Sequence, residues 1–274
     1  MQKIKISKIS ENNLKRDKKV LGKNWKKTYN SYFSDPTNIN AFIKAVLPEI
    51  QKAKTLKNKK LNILYAGGAN GLLGEKLVEA LQKKGFLPAL YLLDISQEHL
   101  NQNKNKKTTK ILADFLSYNS EIKFDIIIMR SALDYIYRER LQIKALKNLK
   151  SQLAENGLFF NCVAAMPTNK ERNLADKIYA SNKLIGKRHF QSKEDINKLY
   201  SKAGIKELKL IGKSKNLIIT EKEHIERYNF AAKEVNKISQ IITRSKLNSK
   251  RITITSKSYK LDFIFPIYLA KNKK

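Results

Sequence analysis

One stretch constrains the fold of this chain more than any other: LNILYAGGANGLLGEKLVEAL, Leu61 to Leu81. An apolar run breaks into glycines and then resumes with helical spacing, the pattern of a strand that turns sharply into a helix. Such a turn lets backbone approach a ligand at the carboxyl end of a parallel sheet, and the helix N-terminus behind it favours negative charge. Asp94 ends the next apolar run, ALYLLDI, 23 positions beyond Gly71. That is near the ~20-residue spacing at which an acid accepts hydrogen bonds from ribose hydroxyls. The simpler alternative for Asp94 is a cap on the helix opened by Ser96.

Strand and helix signals alternate on both sides of this turn, which implies a parallel sheet. SQEHLNQN reads as a helix, KTTKILADF and FDIIIMR as strands, YRERLQIKALKNLKSQL as a helix, and LFFNCVAA as a strand after a turn at Gly157. SKEDINKLYSKAG, IKELKLIG and KLDFIFPIYLAK supply a further helix and two closing strands. The expected fold is α/β, a Rossmann-like, doubly wound, mostly parallel seven-stranded sheet with helices on both faces and an antiparallel last strand. Residues 1–60 are expected to form a basic arm and helical cap, with 1–22 a loose arm and Trp25 to Gln51 helical. Residues 61–274 form the ligand-binding domain, with a helical insertion at about 221–247.

Composition bounds the setting. The 56 Lys and Arg outnumber the 24 Asp and Glu, a formal charge of +32. A nucleic-acid partner is one explanation. The excess is mostly lysine, however, without an arginine cluster or aromatic interleaving, so compositional drift is the favoured one. The single Cys162 and the lack of an apolar leader or of a run of ~20 apolar residues predict a cytoplasmic protein with no membrane association. His99, His224 and Cys162 form no metal-ligand pattern, so no metal is expected. Oligomeric state is not encoded in any feature of the chain.

Two families use a glycine turn of this kind. Read as Gly67-x-Ala69-x-Gly71, the turn resembles the first motif of class I S-adenosylmethionine-dependent methyltransferases. Read as Gly68-x-x-Gly71-x-x-Gly74, it looks like the turn of short-chain NAD(P)-dependent dehydrogenase/reductases, and YASNK offers Tyr179 and Lys183 as that family's Tyr-x-x-x-Lys pair. With 12 tyrosines and 56 basic residues in 274, more than one such pair arises by chance. The catalytic serine of the reductases falls on Met166 here.

The methyltransferase resemblance is broader, running from about Trp25 to the C-terminus through LLDISQEHL, ILADFLSY, FDIIIMRSALDYI and LKNLKSQLAENGLFF in the family's order. It implies S-adenosyl-L-methionine as cofactor, held by Gly67, Gly68, Ala69, Gly71, Asp94, Ile95, Asp114, Phe115 and Arg130. Tyr65 stands where the family usually carries an acid, and its hydroxyl is the available substitute. Asp134 sits where relatives often carry histidine and is the candidate base; an ion pair with Arg138 one turn on is the alternative. Tyr29 and Tyr32, in an aromatic cluster with Trp25 and Phe33, are lid candidates. Arg188 and His189 are substrate candidates, with a surface pair as the plainer assignment. The expected activity is methyl transfer to a small-molecule acceptor. A basic RNA methyltransferase and a non-catalytic cofactor-binding module remain alternatives.

Overall fold

In the computed structural model, residues 7–20, 32–53, 60–183, 185–255 and 258–271 are described. The central elements follow the expected alternation: β1 (Lys60–Ala66), α3 (Leu72–Gln82), β2 (Leu87–Asp94), α4 (Gln97–Gln102), β3 (Thr109–Leu112) and β4 (Phe124–Arg130). Then come α5 (Glu139–Gln152), β5 (Leu153–Cys162), α7 (Ile196–Lys202), β8 (Leu208–Thr220) and β10 (Tyr259–Lys271). Strands β3, β2, β1, β4 and β5 are neighbours in that order and parallel, β10 lies antiparallel against β5, and β8 pairs antiparallel with the far edge of β10. These seven longer strands form the expected sheet. Short β6 (Ala165–Met166), β7 (Gln191–Ser192) and β9 (Ile252–Ile254) extend it.

The sheet is buried on both faces because its side chains alternate between two apolar layers. Ile63, Tyr65, Ile126, Ile128 and Phe160 pack with Phe42, Val46 and Ile50 of α2 (Pro36–Lys52) and with Leu73 and Leu77 of α3. Leu64, Ile127 and Phe159 face Leu146 and Leu149 of α5 and Tyr200 of α7 on the other side. All seven residues of β4 are buried. The Cys162 thiol lies in the first layer, and burial pushes it up to about 11, so it is a packing residue.

One expectation of local structure changes. Residues expected as a loose arm contain α1 (Lys8–Val20), whose Ile9, Ser10 and Asn13 are buried. Its first turn is tied by Ser7, whose hydroxyl accepts from the Ser10 amide at 3.2 Å, and Asn13 donates to the Tyr135 carbonyl at 3.1 Å. The contact with Tyr135 is long-range, and local polarity conceals it. Of the helix expected from Trp25, residues up to 31 lie outside the described ones; after a turn at 33–34 α2 starts at Pro36, where the Asp35 side chain caps it by accepting from the Thr37 amide at 2.7 Å. Trp25 and Tyr29 lie outside the described residues. An unanticipated helix, α6 (Asn169–Ala180), starts with a capping box between Thr168 and Glu171, a Thr-x-x-Glu signal present in the sequence.

The upper half of β10 runs past the end of β5, since Ile267 is opposite Cys162 and Tyr259 to Phe265 continue beyond. Together with β8 it carries α8 (Glu221–Tyr228) and α9 (Ala232–Ser245) beyond the carboxyl edge. His224 of α8 is fully buried there, with Nδ1 2.8 Å from the Tyr259 hydroxyl and rings of Tyr179, Tyr228 and Phe230 around it. Burial, aided by the Arg227 charge, pushes its pKa down to about 3. A histidine held neutral in the fold but free to protonate at about 6.5 when unfolded contributes stability that is present above that pH and lost as pH falls toward 3. Stability is expected to drop by up to ~1.4 kcal/mol per pH unit in that window. Urea titrations of wild type and His224→Gln at pH 7 and pH 5 test this: the variant should lose part of the acid slope, and identical slopes would refute it.

Candidate active site at the carboxyl edge

The glycine turn is suspended from the end of β2. The Gly67 and Gly68 amides both donate to the Leu93 carbonyl, at 2.8 and 3.2 Å, and the Ala69 amide donates to Asp94 Oδ2 at 2.9 Å. Gly67, Ala69 and Gly71 adopt φ of 64°, 49° and 81°, so every second residue takes the left-handed conformation that glycine tolerates best. A Cβ on Gly67 would lie 2.8 Å from Ala132 Cβ and 3.6 Å from Phe115, so only bare backbone lets the turn pack this closely against the segments after β4 and β3, which with it border the cradle at the carboxyl edge. Gly71 opens α3 with no side-chain cap, leaving the dipole end of that helix toward the turn.

Two buried carboxylates flank this cradle. Asp94 is 7% exposed; its Oδ1 accepts from the Ser96 amide at 2.9 Å, and Ser96 itself caps α4 through its hydroxyl. Asp94 therefore joins the turn to the helix start, and helix capping proper falls to Ser96. A carboxylate offers about four lone-pair directions; two accept from backbone amides and His99 Nδ1 lies 3.5 Å from Oδ1, so the remaining capacity for a ligand hydroxyl is on Oδ2. Asp114, 1% exposed, accepts from the Leu116 amide at 2.9 Å and from the Ser7 amide of the N-terminal segment at 3.0 Å. Ile95 and Phe115 are half-buried beside these acids. This donor and acceptor set fits an adenosyl group: two acids for hydroxyl and amino donors, a side-chain-free turn for close approach, and an apolar ring.

At the other end of the cradle, Tyr65 is buried beneath the turn, and burial raises its hydroxyl pKa while the neighbouring Arg130 opposes the rise. Arg130, 6% exposed, donates through Nη2 to the Phe33 carbonyl at 2.7 Å and lies 5.1 Å from the Phe33 ring centroid. It fastens the N-terminal cap to the sheet. Tyr32 does the same for β8: its hydroxyl donates to the Lys215 carbonyl and its ring meets Phe265 at 5.0 Å.

The segment after β4 forms a 3-10 turn, Leu133–Tyr135. Asp134 is buried there, and the cation it faces is Arg188 at 3.9 Å, not the expected Arg138, which starts α5 and stacks on Tyr137. Arg188 is correspondingly not a surface residue: its side chain is 4% exposed and its guanidinium lies 3.2 Å from the Tyr135 ring centroid. His189 turns the other way. Its Nδ1 is 3.0 Å from Asp176 and its Nε2 3.2 Å from Arg172 Nη1, which can only donate, so Nδ1 carries the proton toward Asp176. His189 reaches the Asp134 turn only through its backbone amide, which donates to the Asp134 carbonyl at 3.0 Å.

Tyr179 and Lys183 do not converge. The Tyr179 ring is buried against Phe190, His224 and Phe263, and burial raises its hydroxyl well above the usual range, whereas Lys183 is exposed. Among the described residues no three His, Cys, Asp or Glu side chains gather as metal ligands, and no helix is long and apolar enough to cross a membrane.

A methyltransferase-domain family model matches residues 38–210, more than half of the chain. Among solved structures, the YcgJ protein of Bacillus subtilis is 14% identical, with 84% of this chain and 99% of that one covered and a TM-score of 0.66. A S-adenosylmethionine-dependent methyltransferase of Clostridium acetobutylicum is 15% identical over 90% and 97%, with a TM-score of 0.52. The plantazolicin methyltransferase BpumL, solved with a monoazolic desmethylPZN analog and SAH, is 17% identical over 97% and 98%, also at 0.52. At these identities the structural matches establish the fold. No curated protein sequence matches the chain.

Proposed function

The chain belongs to the methyltransferase-domain family, and on that premise we propose that it moves the methyl group of S-adenosylmethionine to a small-molecule acceptor bound beneath the β8–β10 extension. The reading rests chiefly on one observation, the Asp94 carboxylate bonded to the Ala69 amide, which makes the acid and the glycine turn a single binding unit. Gly67, Gly68, Ala69, Gly71, Asp94 and Ile95 are assigned to the ribose end, Asp114 and Phe115 to the adenine, and Arg130 with Tyr65 to the methionine end.

When bound, the sulfonium supplies a strongly electrophilic methyl group. The chain's own task is then to align a nucleophile and exclude water. Asp134 is the carboxylate placed to take a proton from the acceptor, and the buried Arg188 at 3.9 Å balances the charge of its ionised form, the form that accepts. Arg188 and the Tyr135 ring form one wall of the acceptor site in this reading. Tyr32, whose hydroxyl donates to the Lys215 carbonyl, belongs to the cap over the acceptor in this reading. His189 is engaged by Asp176 and Arg172 and is left out of the acceptor site in this reading. A small acceptor is favoured over RNA at this edge because the extension with α8 and α9 stands over it.

Thermal unfolding with S-adenosylhomocysteine, NADH or NADPH added separately tests the cofactor. At ~100 times its dissociation constant a ligand adds about 2.7 kcal/mol, several degrees in Tm for a chain of this size. A shift with S-adenosylhomocysteine alone is expected; a shift with a nicotinamide nucleotide alone would sink the proposal. Asp134→Asn is expected to slow turnover by ~100-fold or more while leaving that thermal shift unchanged. Loss of the shift in the variant would instead make Asp134 a structural residue.

A further inference from the structure

Gln142 stands where the packing of α5 favours an apolar residue. With Ala145, Leu146 and Leu149 it occupies positions i, i+3, i+4 and i+7 of one helix face, and all four are buried, Gln142 completely. A primary amide is costly to bury unless its donors and its acceptor are met. Here Nε2 donates to the Leu133 and Ile136 carbonyls, each at 3.0 Å, and to the His189 carbonyl at 2.8 Å. Two N–H groups serve three carbonyls, so one bond is shared. Oε1 accepts from Gln191 Nε2 of β7 at 3.2 Å. Leu133 and Ile136 bracket Asp134 and Tyr135, and His189 directly follows Arg188. One side chain therefore bonds both the turn that carries Asp134 and the segment that carries Arg188.

The turn is held mainly from outside itself. Within it, the Ile136 amide donates to the Leu133 carbonyl at 3.0 Å. The chain enters it through Ser131 with a φ of 49°, a left-handed conformation that a serine keeps where its surroundings fix it. The Asp134 carbonyl accepts from the His189 amide at 3.0 Å, and the Tyr135 carbonyl from Asn13 of α1 at 3.1 Å. Together with the Gln142 bonds, these engage all four carbonyls of residues 133–136, two of them through Gln142. The two contacts that define the candidate acceptor wall cross the same junction: Arg188 lies 3.9 Å from Asp134 and 3.2 Å from the Tyr135 ring centroid. Groups on separate segments keep such a geometry only when a supporting shell locks the segments together.

We propose that Gln142 is a positioning residue of the acceptor site: its amide clamps the Asp134 turn to the Arg188 segment and so sets how the carboxylate, the guanidinium and the Tyr135 ring meet. Gln191 orients the clamp, because its donation to Oε1 turns Nε2 toward the three carbonyls. The part this geometry plays in methyl transfer rests on the function proposed above, whereas the clamp is a property of the fold and is tested separately from it.

The stacking of Arg188 on Tyr135 supplies the readout, since the ring current displaces the Arg188 Nε–Hε resonance from the position of solvated arginines. Spectra of full-length protein carrying isotope-labelled arginine are recorded without any acceptor, and the Arg188 signal is identified by its loss in Arg188→Lys. The wild type is compared with Gln142→Met, which keeps the side-chain length and lacks the donors. The control is Gln152→Met, at the other buried glutamine of α5, whose amide meets Asn119 and Ser120 instead of the turn. Gln142→Met should move the Arg188 signal toward the solvated position, and Gln152→Met should leave it in place. Gln191→Met should move it in the same direction by a smaller amount, and it carries the test if Gln142→Met does not fold. An unmoved signal in a folded Gln142→Met protein, or in Gln191→Met where that variant carries the test, would overturn the inference. Equal displacement in Gln142→Met and Gln152→Met would do the same, because it would mark a general loosening of α5. Urea midpoints establish that each variant is folded. Stabilisation by S-adenosylhomocysteine is recorded alongside, and its absence in the wild type would count against the methyltransferase reading alone.

Discussion

Asp94→Asn is expected to weaken S-adenosylhomocysteine binding by at least ~100-fold, a loss of about 3 kcal/mol, while the protein still folds. The carboxylate accepts from the Ala69 amide through Oδ2 and from the Ser96 amide through Oδ1. An asparagine has one acceptor oxygen and presents donors on the other side, so one of these buried amides meets another donor. Leaving it unsatisfied costs ~1–3 kcal/mol of stability. The same change removes the charge that strengthens hydrogen bonds from ligand hydroxyls, which are worth ~1.5–3 kcal/mol each when the acceptor is ionised. Calorimetric titration gives the affinity and urea denaturation the stability. A dissociation constant within about fivefold of wild type, roughly 1 kcal/mol, would remove Asp94 from the site.

Gly67→Ala is expected to cost about 2–5 kcal/mol of folding stability, from two independent penalties. A φ of 64° is left-handed, where an L-residue loses ~1–2 kcal/mol. The new Cβ also lies 2.8 Å from Ala132 Cβ, and overpacking of this kind costs ~1–3 kcal/mol. Since Ala132 precedes the turn that carries Asp134, yielding there moves the candidate base as well. Gly85→Ala separates the two effects. Gly85 has a φ of 81°, but a Cβ there would meet no atom within 4 Å, so only the conformational penalty of about 1 kcal/mol applies. If the two variants lose equal stability in urea, the contact with Ala132 is not what constrains Gly67.

The order of amino acids alone specifies the sheet and the glycine turn with its facing acid. Period-two and period-3.6 apolar patterns are local, so the strands from Lys60 to Cys162 and most of their helices can be read directly. The glycine turn and Asp94 are also legible, because a strand must end in small residues to turn there and the next strand must end beside it. Residues separated in sequence but joined in space are not legible. Nothing near Asp134 announces that its partner is Arg188 rather than Arg138, a choice made by the chain returning beside the 3-10 turn. Nothing near Ser7 announces Asp114, 107 positions away. Tyr179 and Lys183 have the spacing of a catalytic pair, yet packing buries one ring and leaves the other side chain in solvent. Local patterns encode which residues form an element, whereas burial, ion pairing and surface charge depend on which elements meet, and that is decided only when the layers pack.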